Sequence, residues 1–163
     1  MNDRAMLRAE IVGAVAAVRW GDQDHAAHLL SKLTGGTPVA MRESVSELVA
    51  ANVEMVHAAV NGEGGGDEDR DLAFAVNGQD AEGRPLPIDD FEPAQRAATR
   101  IMLAVANDCP DDAEMQLDIV QAAPRYDEMG LVFVHTMCWT LDLLDLCERL
   151  DRGVPEWLRP VLA

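Results

Sequence analysis

Residues 11–33, IVGAVAAVRWGDQDHAAHLLSKL, contain two runs of helical apolar periodicity on either side of the pair Gly21-Asp22. The first run belongs to a helix that is predicted to start at Asp3 and to end near Trp20. Asp22 is predicted to cap the second helix through its side-chain carboxylate. The stretch therefore predicts a helical hairpin with a tight turn at Gly21-Asp22.

The chain after this hairpin predicts a third helix. Gly35 and Gly36 are predicted to end the second helix with positive φ angles, as C-terminal glycines often do. Thr37 and Pro38 then open a helix that runs to about Asn61, because the first turn tolerates the N–H that proline lacks. Residues 3–61 are predicted to form a first three-helix unit.

Adding 87 to these residue numbers reproduces the pattern in the second half of the chain, with Asp3 on Asp90 and Leu30 on Leu117. Cys109-Pro110-Asp111-Asp112 opens a helix at the place where Asp22 stands in the first half. The sixth helix is predicted from Arg125 to about Arg152 and is apolar around most of its circumference, so we expect it to be the central, most buried element.

These patterns predict an all-α fold in which two pseudo-repeated three-helix units, residues 3–61 and 90–152, pack into one helical bundle. Residues 153–163 are predicted to fold back onto the core as a C-terminal tail. With 163 residues in total, the chain is expected to be a single domain over 1–163.

Residues 62–89 form an acidic, glycine-rich linker between the units. Residues 61–92 carry ten acids against two arginines, a net charge of −8 that is half of the chain's −16. The stretch 62–70 has no apolar residue to bury and is expected to be the first site of proteolysis. The alternation of Leu72, Phe74 and Val76, followed by Leu86 and Ile88, indicates a short β-hairpin, with a packed irregular loop as the alternative.

The turn Gly21-Asp22 followed by Ala26, Leu29 and Leu30 resembles the hairpins of helical-repeat adaptors such as the tetratricopeptide class. The resemblance covers about 30 residues of each half and lacks the period of about 34 residues that defines that class. It implies a scaffold that binds other proteins.

The net charge of −16 argues against nucleic acid and membrane partners, because such a surface repels phosphates and anionic headgroups. Met129–Leu141, the longest uncharged apolar-rich stretch, has 13 residues, fewer than a membrane span needs. Three cysteines without a Cys-x-x-Cys spacing favour a reducing cytoplasm. One lysine against twelve arginines suggests a GC-rich bacterial coding sequence.

Three groups of residues have spacings that metal ions use, and each has a simpler explanation. Glu54 and His57 match one half of a di-iron motif, but the second half of the chain offers no partner pair, so a solvated face is favoured. His25 and His28 lack a third ligand. The aspartates near positions 22–24 and 108–112 are explained as helix caps. We therefore predict no metal and no cofactor.

The most informative polar pattern is on the sixth helix. Four polar residues recur every seven positions and one tryptophan lies between two of them. The alternatives are a solvent-facing stripe and the lining of a groove or interface, and we predict that this line takes part in binding. The predicted binding residues are Glu128, His135, Trp139, Asp142 and Arg149.

No glycine-rich phosphate loop, dinucleotide fingerprint or nucleophile elbow occurs in the sequence, so no catalytic residue is predicted. The leading hypothesis is a non-catalytic, acidic interaction or adaptor protein that binds a basic protein segment or a second copy of itself. One alternative is a small-molecule-binding or metal-dependent helical-bundle enzyme that uses His135, Trp139 and Asp142, or His25 and His28. Another is a mimic of nucleic acid.

Overall fold

The computed structural model of the chain describes residues 3–61, 73–79, 82–123 and 127–163. The fold is mostly helical, as predicted. The predicted cleavage site at 62–70 lies outside the described residues. The described elements are α1 (Asp3–Arg19), α2 (Gln23–Thr34), α3 (Pro38–Asn61), β1 (Gly78–Gln79), β2 (Pro85–Leu86), a 3-10 helix (Ile88–Asp90), α4 (Pro93–Ala106), α5 (Pro110–Gln121), α6 (Glu128–Arg149) and a C-terminal 3-10 helix (Glu156–Leu162).

Two predicted helix starts are confirmed by their capping hydrogen bonds. The carboxylate of Asp22 accepts a hydrogen bond of 3.1 Å from the backbone N–H of His25, which satisfies a free donor in the first turn of α2. The hydroxyl of Thr37 accepts one of 3.2 Å from the backbone N–H of Ala40, at the start of α3. Side chains just outside the helices therefore fix where these two helices begin.

Two predicted helix ends are corrected by the structure. Gly35 has a φ of −85° rather than a positive value, and α2 ends with its N–H donating to the Ser31 carbonyl at 2.8 Å. The sixth helix ends at Arg149 rather than near Arg152, because Asp151 adopts a φ of 52° and turns the chain back. Its predicted start at Arg125 lies outside the described residues.

The linker contains a two-residue antiparallel ladder in which Gly78 pairs with Leu86 and Gln79 with Pro85. Phe74 and Val76, which were predicted to lie in the first strand, precede β1, and Ile88 lies in a 3-10 helix rather than in a strand. Leu72 lies outside the described residues. The period-two alternation of Phe74 and Val76 therefore marks a segment without regular secondary structure, in which Phe74 contacts the helices.

Helices α3 and α6 pack against each other more extensively than any other two elements and form the centre of the bundle. Nine residues of α6 are buried, yet Leu131 and Val134 on the same helix are 40% and 45% exposed. Among the described residues, α6 is also the one helix long and apolar enough to cross a membrane by length and composition alone. The prediction of a central sixth helix is correct, but α3 shares that position.

A polar network lies inside the contact between α3 and α6. The Asn52 amide nitrogen donates to the Thr136 carbonyl at 3.0 Å, and the Thr140 hydroxyl donates to the Asn52 amide oxygen at 2.8 Å. All three residues are 0% exposed. Because a buried amide is stable only with its partners in place, the network fixes the register of the two central helices.

The C-terminal tail folds back onto the core, as predicted. Its 3-10 helix packs against α1, with Leu158 and Val161 both 0% exposed. The guanidinium of Arg8 on α1 lies 5.2 Å from the centre of the Trp157 ring, at a cation–π distance. The tail therefore contributes to the apolar surroundings of α1.

The turns α1–α2 and α4–α5 have the same backbone hydrogen bonds at an offset of 87 residues. In the first turn the N–H of Gly21 donates to the Val18 carbonyl at 3.2 Å, and in the second the N–H of Asp108 donates to Val105 at 3.2 Å. Both turning residues have positive φ angles, 75° for Gly21 and 56° for Asp108. The ends of α1 and α4 therefore share one C-terminal motif.

Candidate binding groove

The five predicted binding residues do not form one continuous surface. Glu128 is buried at the start of α6, and the Nε of Arg149 donates to the Asp145 carbonyl of its own helix at 3.3 Å. His135 is partly exposed and, within the described part of the chain, pairs with no side chain. Trp139 and Asp142 line one cavity, and the other three residues do not contribute to it.

This cavity, which we name the groove, has a volume of about 500 Å³. Its floor consists of residues from α4 and α6, and its outer wall consists of the two short strands with one residue on either side of them, Val76 and Phe91. The lining residues are Gln95, Thr99 and Met102 of α4, Trp139, Asp142 and Leu143 of α6, and Val76, Gly78, Gln79, Leu86 and Phe91 of the wall.

The outer wall depends on a glycine at position 78. A Cβ atom at Gly78 would lie 2.4 Å from the Phe91 ring and 2.5 Å from the Leu86 carbonyl oxygen, distances that no side chain tolerates. Phe91 is itself 8% exposed and lies two residues before the start of α4. The close approach of Gly78 to Phe91 therefore brings the hairpin down onto the helices and closes one side of the groove.

Residues 73–79, which we name the strap, are fastened to α4 by a single side chain. The Asn107 amide oxygen accepts a hydrogen bond of 2.7 Å from the Phe74 N–H, and its nitrogen donates to the Phe74 carbonyl at 3.1 Å. The same nitrogen donates to the Leu103 carbonyl at 2.8 Å, which holds the amide against its own helix. The Phe74 ring also contacts His57 of α3 edge to face, with a centroid distance of 4.8 Å.

The groove combines apolar and aromatic walls with one carboxylate. Trp139 packs partly against the core, and Asp142 is exposed and forms no ion pair with any described residue. The Thr99 hydroxyl donates to the Gln95 carbonyl at 2.8 Å, so its proton is already engaged. Among the described residues that line the groove, Asp142 carries the one titratable side chain. This arrangement can bind an apolar group with an adjacent cation, and it pairs no acid with a base.

The groups considered for metal binding do not come together. His25 and His28 are exposed on α2, and Glu54 is exposed on α3. His57 is partly buried against Phe74 rather than aligned with Glu54 on a solvated face. Within the ranges that the structure describes, no three His, Cys, Asp or Glu side chains are close enough to hold a metal ion.

A larger cleft of about 870 Å³ lies between the start of α3, the end of α5 and the start of α6. Its lining is mostly apolar, and Ala123 and Asp127, which flank positions 124–126, form part of it. None of the five predicted binding residues contributes to it. The groove is therefore the better candidate, because an aromatic ring and an unpaired carboxylate lie side by side there.

Val76 and Leu86 of the wall belong to the hairpin predicted from the sequence, but Gly78, Phe91 and Asn107 were not identified from it. Phe91 and Gly78 carried a usable signal, since a large aromatic residue and a glycine near Pro85 and Pro87 mark a turn that packs. Asn107 carried no signal beyond that of a helix end, because its partner is 33 positions away.

No protein-family model, curated protein or solved structure matches the chain.

Proposed function

We propose that the protein is a non-catalytic, acidic interaction protein that binds a basic segment of a partner protein in the groove. The observation that carries the proposal is the placement of Trp139 next to Asp142 in a cavity whose outer wall belongs to the acidic linker. Tryptophan is enriched among the residues that dominate binding energies, because its large rigid ring buries much apolar area.

Charge supports a basic partner. The described residues of the stretch that contains the wall carry four acids, Glu82, Asp89, Asp90 and Glu92, against one arginine, Arg84, and the whole chain has a net charge of −16. An acidic surface attracts cationic segments and speeds their association. Asp142, exposed at the edge of the groove and without an ion-pair partner among the described residues, is positioned for a lysine or arginine.

Three further observations support the proposed domain organisation, compartment and choice of partner. The alignment of apolar positions and helix starts at an offset of 87 residues supports an internal duplication within a single domain. Cys109, Cys138 and Cys147 are all free, which suits a cytoplasmic protein. The charge of −16 opposes binding to nucleic acid or to anionic membranes.

The test uses a short amphipathic peptide of lysine and leucine, with glutamine–leucine and glutamate–leucine peptides as charge controls. Calorimetry should detect binding of the lysine peptide only. Trp139→Ala should weaken this binding by about fivefold or more, which corresponds to roughly 1 kcal/mol. Trp20→Ala is the matched control, because Trp20 is 64% exposed and lies outside the groove.

Two further variants localise the charge contribution. Asp142→Asn should weaken binding by about threefold, whereas Asp112→Asn, at an exposed site on α5, should leave it nearly unchanged. His135→Ala, on the same helix but outside the groove, should also have little effect. The absence of binding by the wild-type protein, or equal losses for Trp139→Ala and Trp20→Ala, would reject the proposal.

The volume of the groove supports a second candidate, a small apolar organic cation. A cavity of about 500 Å³ lies within the range of small-molecule sites. Native mass spectrometry of the purified protein distinguishes the two. A retained small molecule that is lost in Trp139→Ala would favour the second candidate.

A further inference from the structure

The outer wall of the groove has few attachments to the bundle. In the strap, Val76 is 42% exposed, and Ala73, Ala75 and Asn77 are exposed as well. Among the described residues, the contacts that hold it are the two hydrogen bonds between Phe74 and Asn107, the contact of the Phe74 ring with His57, the ladder of Gly78 and Gln79 with β2, and the approach of Gly78 to Phe91. These contacts fix the wall at its two ends, at Phe74 and at β1.

The Asn107 side chain fixes Phe74 as a neighbouring strand would. It accepts from the N–H and donates to the C=O of the same residue, so both backbone groups of Phe74 are satisfied by one amide. The additional bond from Asn107 to the Leu103 carbonyl holds this amide in place on α4. The strap is thereby tied to a rigid element.

The same helix carries the floor of the groove. Gln95, Thr99 and Met102 of α4 line the groove, and Asn107 follows the end of that helix. Val76, a wall residue, is two positions after Phe74, a distance of about 7 Å along an extended chain. A movement of Phe74 away from Asn107 therefore moves the wall relative to the floor.

We infer that Asn107 is the positioning residue of the groove: by clamping the Phe74 backbone it holds the outer wall at the distance from Trp139 at which a ligand is enclosed. The effect of Asn107 on binding rests on the proposed function. The clamp itself, which is the pair of hydrogen bonds between Asn107 and the Phe74 backbone, can be tested without a ligand. Because linkage is reciprocal, a ligand that fills the groove must in turn strengthen the clamp.

The first experiment measures amide hydrogen exchange in the free protein by NMR. In Asn107→Ala the exchange of the Phe74 amide should rise by about tenfold or more, since its acceptor is lost. The amides of Gly78 and Gln79 should also exchange faster, because the wall loses one of its two fixed points. Asn77→Ala is the matched control: Asn77 is an exposed asparagine in the same strap, and its side chain bonds to no described residue.

Asn107→Asp separates the two hydrogen bonds. The carboxylate still accepts from the Phe74 N–H but cannot donate to the Phe74 or Leu103 carbonyls, so the exchange rates should lie between those of the wild type and Asn107→Ala. Unchanged exchange at Phe74 in Asn107→Ala would overturn the clamp. Faster exchange at Phe74 with wild-type rates at Gly78 and Gln79 would overturn its role in positioning the wall.

The second experiment adds the lysine–leucine peptide. Asn107→Ala should weaken its binding by about threefold to tenfold, and binding to the wild type should slow exchange of the Phe74 amide. Equal affinity of the peptide for Asn107→Ala and wild type would overturn the inference while leaving the proposed function standing. If the wild type does not bind the peptide, the proposed function fails. The exchange measurements alone then test whether Asn107 holds Phe74 and the wall in place.

Discussion

The turns α1–α2 and α4–α5 have the same backbone hydrogen bonds, but the side chains that precede them make different contacts. Each closes with the same pair of hydrogen bonds and a residue with positive φ. At the residue before that turn, however, the first hairpin carries Trp20, which is 64% exposed, whereas the second carries Asn107, which clamps the strap. A single side chain at equivalent positions thus decides whether a hairpin merely packs or also holds a segment against the bundle.

The two hairpins also obtain their packing from different neighbours. Helix α4 packs closely against α6, while α1 has its larger contact, outside its own hairpin, with the C-terminal 3-10 helix. The first half therefore depends on a segment from the far end of the chain, and the second half depends on the central helices. A repeated sequence pattern therefore predicts the local geometry of a turn better than it predicts how deeply its helices are buried.

The largest effect is expected at Leu30 of α2 and Leu117 of α5, which an offset of 87 residues aligns. Leu117 is 2% exposed, and Leu30 only packs against the edge of the core. Leu117→Ala should lower the free energy of unfolding by about 3 kcal/mol, and Leu30→Ala by about 1 kcal/mol. Urea denaturation measures both, and equal losses would show that the halves are packed alike.

A smaller effect is expected at the turning residues. Gly21→Ala should destabilise by about 1.5 kcal/mol, because a side chain is strained at a φ of 75° although no neighbouring atom lies within 4 Å. Asp108→Gly should stabilise by about 0.5 kcal/mol, because it relieves the same strain in the second turn. Thermal unfolding of the two variants checks these opposite signs, and a shift in the same direction for both would contradict the shared motif.

The smallest effects are expected at the helix caps. Asp22 caps α2 with its side chain, whereas Cys109 at the equivalent position makes no side-chain cap bond to α5. Asp22→Ala should destabilise by about 1 kcal/mol, and Cys109→Ser should stabilise by about 0.5 kcal/mol by supplying the missing acceptor. Chemical denaturation of both variants against wild type measures the difference, with Ser46→Ala, away from both caps, as a control.

Helix locations and starts were readable from the sequence because they depend on local patterns. Asp22, Thr37 and Pro38 mark their helix starts correctly, since a cap and the turn it satisfies are neighbours in the chain. The end of α2 was misjudged because Gly35 could close the helix with a negative φ as well. Glycine permits a positive angle without requiring one.

The candidate site was only partly readable. Trp139 and Asp142 were selected because an aromatic residue within a polar line is unusual on an apolar helix, and both line the groove. Glu128 and Arg149 belong to the same seven-residue pattern but do not line the groove. The attachment of the wall to α4 could not be foreseen, because Asn107 and Phe74 are 33 positions apart in the chain.

The buried amide of Asn52 makes the contact between α3 and α6 specific to this pair of helices. An offset of 87 residues aligns Thr140, whose hydroxyl donates to Asn52, with Val53, which has no hydroxyl, whereas the Thr136 contact uses a backbone carbonyl that any residue supplies. If two first halves joined through their α3 helices, each Asn52 would lose its hydroxyl donor, at a cost of about 1–3 kcal/mol per unsatisfied group. We therefore expect a contact between α3 and α6 to be favoured over a contact between two α3 helices when two chains exchange segments.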